Sequence, residues 1–426
     1  MMSDLSLWHA TANEHPKRPS LEGEETCDVV IIGGGFTGLS VAYHLQQRNV
    51  KTIVLETHSV GWGASGRNGG EVLIGYVEPM SALAKKYGRE TARQMFQMSM
   101  DCVDLIENII EKEDIKCDFF RNGNMLTAYK PSHLDGLKKE QQFLYDEYNF
   151  ETKIIEKEDM HTEMESTYYH GAHIDDKSAI FHPLNYCLGL ADAVEKYGGT
   201  IYENSEALKI EHPSKDEVVV KTSNGSVKAK HIGIFVNAYT TDLHKLIKRA
   251  IVPVESIVLA TETLPEELCK RLMVNNRAAC DTKNLLYYYR LSADNRMVFG
   301  GSGRTTSKRD AARLFINLQK GMIDVFPALK DAKVEYTWSG KVGFTIEKIP
   351  YIGQLDDGTH FAFGYAGHGA AMSTLLGKIV ASNILNEGDK NNPLDRSNLK
   401  PIPFHSHNAK GLGIMKYYFK IKDYIS

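Results

Sequence analysis

The 426-residue chain carries 54 acidic and 50 basic side chains, a formal charge of -4, and this argues against nucleic acid as its main partner. Its length provides for about two to three domain-sized cores. It has no apolar run near the roughly 18 residues needed to span a bilayer and no signal-peptide core in its mostly polar start. The six cysteines are widely spaced without a C-x-x-C pair, which points away from a disulfide framework or metal site and towards reduced thiols in a cytoplasm.

Residues 1–26 read as a surface leader with Trp8 as a candidate anchor, although disorder fits the same residues. From 27 to 56 the order is strand, glycine turn, helix, strand and acid. Residues 28–32 form a short β-branched run suited to a strand buried on both faces. Gly33, Gly35 and Gly38 fall at G-x-G-x-x-G spacing, which serves a tight turn, a close approach of pyrophosphate and close packing of the next helix. Leu39, Ala42, Tyr43 and Leu45 follow at helical spacing, so the helix starts beside the phosphates with its free N–H groups and positive end aimed at them. Glu56 ends the second strand, where an acid accepts the hydroxyls of an adenosine ribose and repels a 2′-phosphate. The motif fits FAD and NAD alike.

A second glycine-rich stretch follows at 61–70, GWGASGRNGG. Five glycines in ten residues exclude a helix or strand interior. Backbone N–H groups and Arg67 suit a pyrophosphate or a flavin edge, and a flexible surface loop is the alternative. Residues 85–115 carry a helical pattern (Met98, Cys102, Leu105, Ile109), which predicts an insert outside the nucleotide fold. Residues 117–160 mix short strands with a charged helix whose charges form a solvated face. His182 precedes a helical stretch at 186–197 and either faces a cavity or is a satisfied structural histidine. Strands are expected near 199–210, 217–222 and 232–236.

Residues 252–261, 285–291 and 296–300 read as strands of a second excursion. Alternation puts Tyr287 and Tyr289 on one face and Tyr288 and Arg290 on the other. A sheet with one face towards a cavity makes a substrate roof, and Tyr287 and Tyr289 are the cavity candidates. Near the end, a strand at 361–364 opens into YAGHG at 365–369 and a helix. The positive end of that helix would stabilise negative charge on the pyrimidine edge of a flavin, which favours FAD over NAD. The basic aromatic run at 410–426 either touches a membrane surface or packs back on the protein.

The order VVIIGGGFTGLS with Glu56, then GASGRNGG, then WSGKVG, PYIG and FGYAGHGAAMSTLLGK resembles the glycine-oxidase and D-amino-acid-oxidase type of FAD flavoproteins, most closely the gamma-glutamylputrescine oxidase branch. The resemblance covers nearly the whole chain. It implies an α/β fold with an α+β second domain: a discontinuous Rossmann-type FAD-binding domain (27–84, 161–245 and 336–400) and an antiparallel-sheet substrate domain (85–160 and 246–335). The leader is 1–26 and the C-terminal tail 401–426. Carried over by position, Gly33, Gly35, Phe36, Thr37 and Gly38 would hold the pyrophosphate and Glu56 the ribose. Ala64, Ser65, Arg67, Asn68, Gly69 and Gly70 would line pyrophosphate and flavin, Ala207 would hold adenine through its backbone, and Gly367, His368 and Gly369 would sit at the pyrimidine edge.

Three departures bear on function. Amino-acid oxidases of this type often carry a carboxylate-binding arginine before P-x-I-G, where this chain has Val342 beside Lys341, which weakens an α-amino acid as substrate. Sarcosine-type relatives attach flavin through a cysteine in the same region, and no cysteine follows Cys280, so non-covalent FAD is expected. Members often read RNGGQ where this chain has Glu71, a carboxylate that either attracts an ammonium or keeps a polar contact. The resemblance implies oxidation of gamma-glutamylputrescine by hydride transfer to flavin N5, with dioxygen as acceptor and aldehyde, ammonia and hydrogen peroxide as products. Tyr287, Tyr289, Glu71 and His368 are the candidate catalytic residues. A glycine- or sarcosine-type oxidase, a dehydrogenase feeding a quinone and a non-catalytic flavin-binding protein stay open.

Overall fold

The computed structural model describes residues 5–214, 216–303 and 308–402; the run at 410–426 lies outside the described residues. Two large sheets organise the chain. The first has six strands in the order Tyr351–Gln354, Thr359–Phe363, His231–Ile234, Val29–Ile32, Thr52–Leu55 and Thr200–Tyr202. All neighbours run parallel except the first pair. Every residue of Val29–Ile32 and Thr52–Leu55 is buried, because helices cover one face and a small four-stranded sheet covers the other.

The helix Phe36–Gln46 is buried almost all round, as expected of a helix enclosed by other elements. It packs on the C-terminal helix Gly369–Ile384 with small residues at the contact. The Ser40 hydroxyl donates to the Thr374 carbonyl at 2.6 Å, and a Cβ at Gly377 would stand 2.5 Å from that of Ser40.

The second sheet has eight strands in the order Val334–Phe344, Val252–Thr261, Met297–Ser302, Tyr287–Leu291, Ala278–Asp281, Asn124–Thr127, Gly171–Asp175 and Lys153–Glu156. It is antiparallel except where Ala278–Asp281 runs beside Asn124–Thr127. Its far face buries a separate apolar cluster that includes Tyr289, Phe299, Met322 and Phe326.

The sheets divide the chain differently from the sequence boundaries at three places. Gly171–Asp175 and Val334–Phe344 complete the ladder of the eight-stranded sheet. The helix Arg89–Glu113 buries Ala92, Met95, Cys102 and Ile106 in the same cluster as the dinucleotide strands, with the Cys102 sulfur 3.2 Å from that of Met372. Its apolar stripe therefore packs on the nucleotide fold, not outside it.

Residues 5–26 are anchored. Leu7–Ala10 is one helical turn capped by Ser6, with Leu7 and Trp8 buried, and Gly23–Thr26 adds a parallel strand beside Gly225–Ala229. Arg18 lies buried and pairs with Asp192 at 2.7 Å and Glu195 at 2.9 Å. No described helix is long and apolar enough to cross a membrane.

Candidate FAD and substrate site

The strand Val29–Ile32 runs into Gly33, whose φ is +112° and where a Cβ would meet the Phe235 carbonyl oxygen at 2.9 Å. At Gly38 a Cβ would lie 2.0 Å from the Gly33 carbonyl oxygen. Helix and strand can approach this closely only without a side chain there. Gly35 caps the helix without a side-chain bond, and the Ser65 hydroxyl accepts from the Phe36 N–H at 3.0 Å. The Phe36 ring is turned inward against Phe181 and Tyr186. Glu56 accepts from the Gly34 N–H at 2.8 Å and the His58 N–H at 2.9 Å, and burial pushes its carboxyl above the usual range. A shallow cavity beside it, lined by Ile32, Thr57, Ala207 and Val236, lies at the carboxyl ends of the parallel strands, where ligands of open α/β sheets bind.

The stretch 61–70 is held by its own side chains. Asn68 donates from its amide nitrogen to the carbonyls of Ala64 (3.0 Å) and Ser65 (2.9 Å) and accepts from the Gly70 N–H at 2.8 Å. Arg67 turns back: its Nε donates to the Trp62 carbonyl at 2.8 Å, and its guanidinium stacks 5.1 Å from the Trp62 ring. Three long side chains then pin the loop by its carbonyls. Trp8 Nε1 donates to Asn68 at 2.8 Å, Trp338 Nε1 to Arg67 at 2.9 Å, and Arg290 Nε to Gly69 at 2.7 Å.

The C-terminal unit joins the same place. Tyr365 and Thr37 share a hydroxyl–hydroxyl bond of 2.6 Å, and the Ala366 N–H donates to the Gly343 carbonyl at 2.9 Å. Ala366 and Gly367 take φ of +51° and +103°, which turns the chain into Gly369–Ile384 with His368 as its cap. His368 is half-buried; its Nδ1 is buried without a hydrogen-bond partner among the described residues, and burial lowers its pKa to about 4.

The eight-stranded sheet covers the loop with the face that carries Tyr288 and Arg290. The Tyr288 ring lies between two glycines: a Cβ at Gly300 would stand 2.0 Å from its Cζ, and one at Gly69 2.9 Å from its Cε2. Its hydroxyl bonds Ser256 at 2.9 Å. Arg290 is buried, with Nε, Nη1 and Nη2 donating to the carbonyls of Gly69, Leu291 and Phe181. Burial lowers its pKa to about 10, against the pull of Glu71. Glu71 begins a two-residue strand paired with Ala179–Ile180. Its Oε1 is buried without a hydrogen-bond partner among the described residues, and burial raises its pKa to about 8.

The chain matches the FAD dependent oxidoreductase (DAO) family over residues 28–383. It belongs to that family. It is 34% identical over 402 residues to the gamma-glutamylputrescine oxidoreductase of Escherichia coli, covering 94% of this chain and 92% of the relative. It is 35% identical over 390 residues to a probable oxidoreductase OrdL of Haemophilus influenzae, covering 90% and 89%. Among solved structures, glycine oxidase from Geobacillus kaustophilus superposes with a TM-score of 0.73 at 19% identity, covering 89% of this chain and 99% of that one. The protein is thus an FAD-dependent oxidoreductase with the fold expected of its sequence, and its homologues act on amines or amino acids.

The residues present have the chemistry that FAD needs. The glycine cradle at 33–38, the loop at 64–70 and the turn at 367–369 converge through the Ser65, Tyr365 and Arg290 contacts. Two buried polar atoms, Glu71 Oε1 and His368 Nδ1, lack partners there among the described residues. The cavity tyrosines require correction. Tyr289 is fully buried in the cluster behind the roof, stacked 5.4 Å from Phe299. Tyr287 shares that face and carries the Lys283 ammonium 3.3 Å above its ring, with Lys283 paired to Asp281 at 3.0 Å. Alternation separated the two faces correctly but left open which of them meets the loop. Neighbouring strands held the missing signal: Phe299, Met297, Ile257 and Leu259 back Tyr289, whereas Gly300 and Ser256 adjoin Tyr288. His182 is structural. Its Nδ1 accepts from the Asn185 N–H at 3.1 Å and its Nε2 bonds the Thr11 hydroxyl at 3.0 Å.

Proposed function

We propose that the protein oxidises a primary amine at non-covalently held FAD, with gamma-glutamylputrescine as substrate, dioxygen as acceptor, and aldehyde, ammonia and hydrogen peroxide as products. The 34% identical relative named for gamma-glutamylputrescine supports the substrate. The observation that carries the reading is the fate of the basic side chains around the loop. Arg290 spends its three nitrogens on backbone carbonyls, and Arg67 gives Nε to Trp62. Lys341 is exposed on an edge strand, with its ammonium 5.2 Å from the Tyr239 ring. Val342 stands where amino-acid oxidases carry their arginine. A bidentate clamp on an α-carboxylate needs a guanidinium aimed at the substrate; Arg290 has spent its donors, Arg67 is turned back on the Trp62 ring and carbonyl with Nη1 3.4 Å from the Ser339 carbonyl, and Lys341 offers only an ammonium.

Bound FAD supplies the two-electron oxidation of the carbon–nitrogen bond, chemistry that side chains lack. The chain's own residues orient and dehydrate. Tyr288 and Trp338 cover the loop from the roof, and the Tyr288–Ser256 hydroxyl pair keeps the ring in place. Burial lowers the His368 pKa to about 4, so it is neutral at pH 7, and its Nδ1, without a partner among the described residues, would be free to meet the flavin. The start of helix Gly369–Ile384, which no side chain caps, would present its positive dipole end to negative charge on a flavin bound there. The lack of cysteine after Cys280 supports non-covalent attachment. The six free thiols support a reducing compartment, and we assign the protein to the cytoplasm.

The test is an anaerobic titration of the purified flavoprotein with gamma-glutamylputrescine, putrescine, glycine and sarcosine, read by flavin absorbance, followed by air. Bleaching by gamma-glutamylputrescine and reoxidation with peroxide is the expected result. Bleaching by glycine or sarcosine instead overturns the substrate, and a flavin that stays reduced in air overturns the acceptor.

A further inference from the structure

We infer that Glu71 is the residue that receives the ammonium end of the substrate and takes its proton. This rests on the reading that the reaction is amine oxidation, and it adds the group that selects and activates the amine.

Glu71 is fixed from both sides. Its backbone pairs with Ile180, and the Phe181 N–H donates to the Gly70 carbonyl at 2.9 Å. This short ladder fixes the backbone from which the side chain rises. Its carboxyl carbon and the Tyr288 ring both border Gly69, at 3.7 and 2.9 Å from where a Cβ would be. The charged and titratable groups that act on it are Arg290 and Tyr288 of the roof strand and Cys280 of the next strand. The helix begun by His368 packs against its own strand. Arg290 attracts the carboxylate through space, but its nitrogens donate to backbone carbonyls. Oε1 is thus left buried with no donor among the described residues.

A buried carboxylate without a donor is costly unless a cation with N–H groups meets it. An alkylammonium supplies both charge and donors. An α-amino acid would bring its own carboxylate towards Glu71, and like charges repel. The site so built prefers an amine whose reacting carbon bears no carboxylate.

The proton step balances without any redox partner. R–CH2–NH3⁺ and the Glu71 carboxylate become R–CH2–NH2 and the Glu71 carboxylic acid; one N–H bond breaks, one O–H bond forms at Oε1, and nitrogen keeps the electron pair. An ordinary carboxyl lies about six pK units below an alkylammonium, near 10.4. Burial raises Glu71 to about 8, so most of that mismatch is gone. Only the neutral amine has a lone pair with which to drive loss of electrons from its carbon.

The test uses the holoprotein and tert-butylamine, an amine with no hydrogen on its carbon, so that it binds without being oxidised. Binding is read as a perturbation of the flavin spectrum between pH 6 and 10, for wild type and for Glu71→Gln and Glu71→Asp with matched flavin content. The expected wild-type affinity rises as pH approaches about 8. Glu71→Gln should bind at least tenfold more weakly with that rising limb gone, and Glu71→Asp should keep part of both. Equal affinity in Glu71→Gln and wild type overturns the proposal, and so does the absence of any wild-type binding. Failure of the amine-oxidase reading looks different: tert-butylamine binds in a Glu71-dependent way, yet no oxidisable amine bleaches the flavin.

Discussion

Burial holds the Glu71 carboxyl near pKa 8, against 4.5 for the free side chain. A carboxyl raised on folding contributes stability that is fully present below the unfolded value and is lost as pH rises through the folded one. The unfolding free energy of wild type relative to Glu71→Gln should therefore fall between roughly pH 4.5 and 8. Its slope should be at most about 1.4 kcal/mol per pH unit, the limit for one proton. Urea titrations of both flavoproteins across that range measure it, and parallel curves would show that Glu71 is ionised throughout. Gly38 gives a steric counterpart. A methyl there would lie 2.0 Å from the Gly33 carbonyl oxygen, an atom of the backbone that cannot yield. Gly38→Ala should cost about 1–3 kcal/mol through overpacking and should purify with little FAD. A Gly38→Ala protein that keeps full flavin content at wild-type stability contradicts the close packing described above.

At the scale of elements, the leader helix acts on the site through one indole. Trp8 is buried, and its N–H holds the Asn68 carbonyl in the loop. Trp8→Ala should destabilise by about 3–5 kcal/mol, as expected for a large buried aromatic. Trp8→Phe keeps most of the packing and strands the carbonyl, which should cost about 1–3 kcal/mol and raise the FAD dissociation constant several-fold. Fluorescence titration of apoprotein with FAD, beside urea unfolding, separates the two effects; unchanged FAD affinity in Trp8→Phe would leave the indole a packing role alone. The leader was half legible, since a lone tryptophan among polar residues signals an anchor without naming what it anchors. Residues 27–56 were legible throughout because the turn, the period and the terminal acid are local features. Arg290 was not legible as a strut, because its acceptors Gly69 and Phe181 lie 221 and 109 residues away. The eight-stranded sheet was legible as strands but not as a face. Period-2 alternation assigns sides, and only the register against Gly300 and Ser256 identifies the side that meets the loop.

The whole molecule shares one electrostatic feature that no single element reveals. His44, His173, His182, His360 and His368 all have pKa values lowered to about 4, with burial as the largest cause. They are spread over the nucleotide helix, the roof, the leader joint, the six-stranded sheet and the C-terminal turn. A histidine depressed on folding contributes stability that is present above its unfolded value of 6.5 and is lost as pH falls towards its folded value. Each of the five adds up to about 1.4 kcal/mol per pH unit to that loss. The raised carboxyls of Glu56, Glu71, Asp175 and Asp281 act in the opposite direction, so the histidines are best isolated by difference. His173 lies in the roof and His360 in the six-stranded sheet, and sites so far apart should act additively. His173→Asn and His360→Asn should each flatten the fall in unfolding free energy between pH 6.5 and 4, and the double variant should flatten it by the sum. Urea unfolding at half-unit pH steps measures this, and a double variant whose slope equals that of wild type would mean that both imidazoles are already protonated in the fold.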